Sequence, residues 1–333
     1  MKKVKVKWTP SATNAEQAAR DLVSAVLYLH STFKNEIWLW RGQANANHGL
    51  EPGMHTRVHR EAEEDETALP RATDYLLKSA RSAGVDRTSS DFLLPDLALL
   101  ARLQHHGAAT PLLDVTFDPL VALWFVAFAD KDDPPKLDDT SGSLFAIRKP
   151  QPERQICPLD ARPFWSDSIE KPSIDACLGE DIWWYDAPDI TERLRIQRGS
   201  FILGGLTGES DLGTIPVTSH SSTNWLERRL SQRGRRGNTT KADTDVAIFN
   251  VRGSVKQHLR KLLSERSGLD PATIYPTPWE SPFLEQFAES HGRSRPLNNE
   301  MTPIDSDPRY LVSANNVVIH NEPCEALSEP SNS

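Results

Sequence analysis

The sequence predicts a mixed α/β fold of the α+β kind, a mixed sheet packed by helices. Three observations predict it. Short strand-like stretches at 4–8, 36–43, 143–147, 200–203 and 245–251 are interleaved with segments of helical periodicity at 15–32, 69–83 and 254–264. Residues 99–129 hold an apolar helix, a polar turn with two histidines and a second helix that is apolar on every side, which must sit in the middle of a core. The 333 residues, 38% hydrophobic and 25% charged, can bury such a core.

Taken in order, Val4, Val6 and Trp8 alternate with Lys5 and Lys7 as an edge strand. Asn14 or Thr13 caps the helix at 15–32, whose stripe is Leu22, Val23, Val26, Leu27 and Leu29. The aromatic strand at 36–43 ends in Arg41-Gly42-Gln43, so the arginine stands at the end of a core strand. Residues 44–53 read as a loop anchored by Leu50 and Pro52, and the acidic run 61–66 as the solvated start of a helix. Leu97, Leu99, Leu100 and Leu103 bury the first central helix, and Gly107 stops it just after Gln104-His105-His106. An extended piece ends at Asp114-Val115-Thr116, and Pro119 opens the all-apolar helix. Residues 130–141 form an exposed loop. The proline-rich segment 150–189 is irregular, with Trp165, Trp183, Trp184 and Tyr185 free to pack over a core or a ligand. Residues 204–213 are glycine-rich without the Lys-Ser/Thr of a phosphate loop. The basic stretch 226–241 is either a solvated loop or a phosphate or nucleic-acid contact. After the helix at 254–264, residues 273–276 read as extended, 283–290 as a last helix, 317–319 as a strand and 322–333 as disordered.

Composition excludes several classes. A formal charge of -8 and a pI of about 5.7 argue against a general polyanion binder. Cys157, Cys177 and Cys324 have no metal-ligand spacing and point to a reduced, cytoplasmic setting. The longest apolar run, 120–129, is about half of the roughly 20 residues that a membrane span needs, so no membrane association is expected. There is no Gly-x-Ser-x-Gly elbow and no evident pair of glycosidase carboxylates. His105 and His106 project in different directions and lack a third ligand, so no metal is expected.

Polar groups between two core helices are costly to bury unless satisfied, which makes Gln104, His105, Asp114 and Thr116 the first functional candidates, with Arg41 beside them. Each has a plain structural counterpart. Arg41 pairs with Asp114 and locks two elements together, Thr116 caps the helix as Asp118 would, and His105 is a buried hydrogen-bonding residue rather than a general base.

These motifs resemble the FRG domain, a bacterial family named for a Phe-Arg-Gly signature that stands here as Trp40-Arg41-Gly42-Gln43, followed by Leu50, Pro52 and Arg57 or Arg60. The most specific likeness is Gln104-His105-x-Gly107-x-x-Thr110-x-Leu112-Leu113-Asp114-x-Thr116-x-x-Pro119-x-x-Ala122-Leu123-x-Phe125, with Gln197-x-Gly199-x-Phe201 later. On this resemblance residues 1–14 are an edge strand and lead, 15–291 the FRG domain and 292–333 a polar extension. The layout is also similar, more distantly, to ADP-ribosyltransferases, which carry an arginine or histidine, a hydroxyl residue and a Glu or Gln on three successive strands.

That likeness implies a split mixed sheet with an ADP-ribosyltransferase-like core, and NAD as substrate. Arg41, Gly42, Gln43, Gln104 and Thr116 would bind it, and Arg41, Thr116, Gln197, His105 and Asp114 would carry the catalysis. The implied role is a transferase effector of a toxin-antitoxin or phage-defence system, with a protein or nucleic-acid acceptor and an antitoxin or inhibitor as partner. The alternative is a non-catalytic nucleotide or nucleic-acid binding module. Two departures bear on the chemistry. The family's Pro-Thr-Arg-Leu-Leu-Asp-Trp-Thr run reads here Ala109-Thr110-Pro111-Leu112-Leu113-Asp114-Val115-Thr116, so its arginine must be replaced, with Arg198 or the basic loop as candidates. Gln197 stands where a glutamate would stabilise positive charge better, which leaves Asp114 or Glu192 to supply a carboxylate.

Overall fold

The computed structural model describes residues 5–295 apart from 11, 33–36, 65–66, 89–90, 129–136, 167–172, 179–180, 189–190, 205–245, 277–281 and 294. The basic stretch 226–241 and the expected strand at 317–319 lie outside the described residues.

The strands are β1 (Lys5–Trp8), β2 (Trp38–Gln43), β3 (Leu113–Thr116), β4 (Gly142–Arg148), β5 (Gln155–Ile156), β6 (Trp183–Tyr185), β7 (Gly199–Leu203) and β8 (Val246–Val251). They form one eight-stranded mixed sheet in the order β1-β8-β4-β2-β3-β7-β6-β5. The β1/β8 and β5/β6 pairs are parallel and the others antiparallel. The mixed α/β expectation therefore holds, and the sheet is split in its middle. β2 pairs with β4 along six residues, yet meets β3 only at Trp40 opposite Thr116. Beyond that point Arg41 and Gly42 diverge from Val115 and Asp114.

The helices explain the split. α1 (Ala15–Thr32), α5 (Pro119–Ala127) and α8 (Gly253–Ser267) share one core with Trp38 and Trp40 of β2, Leu144 and Ala146 of β4, and Ala247, Phe249 and Val251 of β8. α3 (Ala68–Ser82) and α4 (Asp96–His105), with the start of α2 (Gly53–Glu64), make a second core with Tyr185 of β6 and Phe201 and Leu203 of β7. Pairing registers place Trp40 beside Thr116, and Asp114 opposite Phe201, so both helical layers lie on the same face of the sheet. The alternate residues Leu39, Leu113, Val115, Phe145, Ile147, Ile202 and Ile248 form a third cluster on the other face. The gap between β2 and β3 thus falls beneath the seam of the two helical layers.

Local signals set the elements around that seam. Asp118 accepts from the Leu120 backbone N–H at 2.8 Å and Pro119 fills the first turn, so Asp118 rather than Thr116 caps α5. α4 ends where Gly107 adopts φ 100°, a left-handed conformation that other residues resist. α5 runs so close over β2 that a Cβ on Gly42 would overlap the carbonyl oxygen of Ala122. Behind the seam, the buried Lys256 of α8 donates to the carbonyls of Ala44 at 2.7 Å and Leu137 at 2.6 Å, and the Gln43 amide donates to the Gly49 carbonyl at 2.9 Å. These bonds fix the loop that leaves β2.

Several sequence expectations differ from the structure. The loop expected through residue 53 gives way to α2, which begins at Gly53 and contains Arg57, so residues 61–64 of the acidic run lie at the end of a helix and not at its start, while 65–66 lie outside the described residues. Residues 273–276 are not extended, because Asp270 accepts from Thr273 at 2.7 Å and Pro271 opens a short helix, α9 (Pro271–Ile274). The segment 150–189 is more regular than its prolines imply. It holds β5, β6 and a helix α6 (Ile174–Leu178), and Trp183, Trp184 and Tyr185 are strand residues extending the sheet.

Two consequences can be measured. Gly42→Ala forces α5 off β2 and lowers the urea midpoint at unchanged slope by the equivalent of about 2–3 kcal/mol. Gly268→Ala, which strains a left-handed turn (φ 65°) with open space around it, costs about 1 kcal/mol. Burial also pushes the His55 imidazole on α2 down to about 4. Protons then bind the unfolded chain more readily, so its contribution is complete above about 6.5 and is lost as pH falls towards 4. Stability measured at pH 7 and pH 5 should fall less in His55→Phe than in the parent.

Candidate functional site in the sheet split

A cavity of about 230 Å³ opens over the divergence of β2 and β3. β2 contributes Trp40, Arg41 and Gly42, and β3 contributes Asp114, Val115 and Thr116. The end of α4 supplies Gln104 and His105, and α5 supplies Phe125. The remaining wall is Arg193, Leu194 and Gln197, from α7 (Glu192–Ile196) and the turn after it, with Gly199 and Ser200 of β7.

Arg41 spans the split. Its Nη1 donates to the Asp114 carbonyl at 2.8 Å and stands 3.6 Å from the Asp114 carboxylate, while its Nε has no hydrogen-bond partner. The strands cannot bond to each other here, and the guanidinium takes over one of the carbonyls this leaves. The same carboxylate accepts from the Gln104 amide at 2.7 Å, and the Thr110 hydroxyl donates to the other end of that amide at 2.7 Å. Thr110, Gln104, Asp114 and Arg41 thus form a relay that holds the carboxylate at the cavity.

Thr116 is engaged on both sides. Its hydroxyl donates to the Gln197 carbonyl at 2.6 Å and accepts from the Asp118 N–H at 2.9 Å. The Gln197 side chain donates to the Ile274 carbonyl at 3.0 Å. Gln197 lies in the turn between α7 and β7 rather than on a strand, and its bond draws the 271–275 segment over the cavity.

His105 is 8% exposed, and its Nε2 has no hydrogen-bond partner. Burial first, and then the neighbouring Arg193 and His106, hold its imidazole well below the ordinary range, so it is neutral near pH 7.

The structure therefore brings Arg41, Gly42, Gln104, His105, Asp114, Thr116 and Gln197 to one cavity. Gln43 does not line it and serves the loop behind. Glu192 is exposed and lies 3.8 Å from Arg195, which leaves Asp114 as the carboxylate at the cavity among the described residues. Arg198 is exposed too, in a left-handed turn where its carbonyl accepts from the Phe117 N–H at 3.1 Å.

The residues that sequence reasoning missed are Arg193 and Tyr275. Arg193 donates to the His105 carbonyl at 3.2 Å and lies over the Tyr275 ring at 4.2 Å. Tyr275 in turn meets Phe125 edge-on at 6.4 Å. The absent family arginine after Thr110 was the one available signal that a cation must come from elsewhere.

Among the described residues no group of three His, Cys, Asp or Glu stands where it could hold a metal ion, and no helix is long and apolar enough to cross a membrane. No curated protein and no solved structure matches the chain. Residues 36–134 match the model of the FRG domain, and this span contains Trp40-Arg41-Gly42, the Gln104 to Thr116 relay and α5, all of which build the split and its cavity; the chain carries an FRG domain.

Proposed function

We propose that the cavity binds NAD and that the protein is an ADP-ribosyltransferase-like effector. The observation that carries this reading is the convergence of Arg41, Thr116, Gln197 and a carboxylate, Asp114, over the break in the sheet. Arg41 stands in the wall beside the ribose, Thr116 and Gln197 shape the wall next to it, and Phe125 offers an aromatic surface to the nicotinamide ring. In the transfer step the ribose–nicotinamide bond breaks with its electron pair going to the ring nitrogen. Positive charge develops on the ribose, a nucleophile of the acceptor bonds to the anomeric carbon, and the acceptor gives up a proton. Asp114, held by Gln104, is placed to stabilise that charge. The acceptor is a protein or nucleic acid, and an inhibitor protein restrains the effector, as in toxin-antitoxin and phage-defence systems.

A specific observation favours a second reading. The Thr116 hydroxyl and the Gln197 amide are both spent on internal hydrogen bonds, as in a cavity that binds a nucleotide without turning it over.

Nicotinamide release from NAD, measured with purified protein and cell lysate, separates the two. The transferase reading expects release and label on a macromolecule, with Asp114→Asn slowed about a hundredfold or more at a temperature where its unfolding curve shows the variant still folded. NAD binding without release establishes the binding module. Neither binding nor release overturns both.

A further inference from the structure

The cations of the cavity differ in how far they are already compensated. Arg41 is neutralised at short range, since its guanidinium bonds the Asp114 carbonyl and stands beside the Asp114 carboxylate. Arg193 is not. Among the described residues no carboxylate stands within ion-pair distance of it: Asp114 and Glu285 reach it only through space, its side chain donates to the His105 carbonyl, and Tyr275 both hydrogen-bonds it and lies against its guanidinium. Its Nε is buried without a partner. Beside it His105, more than nine-tenths buried and lining the same cavity, is neutral and also has an unsatisfied ring nitrogen. A buried guanidinium with no counter-ion is costly unless something charged completes it. Stacking on Tyr275 and the bond to the α4 terminus hold its planar fork in place, which lowers the entropy lost on closing over an oxyanion.

We propose that Arg193 is the anion-recognition residue of this cavity and takes the diphosphate of a nucleotide, while Arg41 is the strut that keeps the cleft open. The inference rests on reading the cavity as a nucleotide site and adds which charge selects the ligand. The diphosphate accepts from the outer edge of the Arg193 fork, and the rest of the nucleotide extends along the cavity towards Phe125.

The test is calorimetric titration of the whole chain with inorganic pyrophosphate, ADP, adenosine and a short oligonucleotide. It uses the parent, Arg193→Ala, Arg193→Lys and, as a control on the same helix, Arg195→Ala, with thermal unfolding of each. The expected result is that Arg193→Ala weakens pyrophosphate and ADP at least tenfold and leaves adenosine unchanged. Arg193→Lys should be intermediate, because a point charge cannot reproduce the fork, and Arg195→Ala should behave as the parent. Equal pyrophosphate affinity in Arg193→Ala and the parent overturns the proposal. So does a parallel loss of adenosine, which would mark a structural role, or binding of a short oligonucleotide with none of pyrophosphate. Nicotinamide release by the parent is read separately. Arg193-dependent pyrophosphate binding without release removes the transferase reading and keeps this one, and release with Arg193-independent binding does the reverse.

Discussion

The bond from the Arg41 guanidinium to the Asp114 carbonyl is the contact on which the site depends. Two antiparallel strands ordinarily satisfy each other's backbone along their length. Here they share one residue pair and separate, and a separated strand end in the interior would leave orphaned carbonyls. A long, permanently charged fork spans the gap without closing it, so the sheet stays whole while a cavity persists. Gly42 is the complement of this arrangement, because only a residue without a side chain lets α5 lie on β2 beside the opening.

From that contact the site builds outward through short, directional bonds. Asp114 is gripped by Gln104, which Thr110 orients, and Thr116 ties β3 to the turn carrying Gln197, which ties α9 in turn. Each residue has at least two partners from different elements. The cavity is therefore a property of the packed fold, and its residues span positions 40 to 200 of the chain.

This distribution explains what could be read from sequence. Trp40-Arg41-Gly42 and the run from Gln104 to Phe125 are dense, with polar groups standing against otherwise apolar helices, and such conflicts between composition and burial are legible in one dimension. Arg193 is different. It sits in a short polar helix with Arg195, and Arg198 follows, and nothing in composition or period distinguishes the three. Only the turn of α7 against α4 and the descent of Tyr275 onto that turn select Arg193. The short helix at 271–274 was missed for a related reason, since its cap at Asp270 outweighs the β-branched residues that read as extended.

The outer strand of the larger half-sheet has a bearing on how the chain acquires its shape. β1 pairs in parallel with β8, Lys5 opposite Val246 and Trp8 opposite Phe249, so the first strand of the described residues is joined to the last. Closing a loop of that length is entropically expensive, and contacts so far apart in sequence slow folding. As the chain emerges during synthesis, β1 waits until every other described strand exists. The half-sheet of β3, β7, β6 and β5, whose strands all lie between residues 113 and 203, has its partners available much earlier. The order of assembly thus runs from the cavity's inner wall towards the outer strand, and β1 is the last strand to find its place.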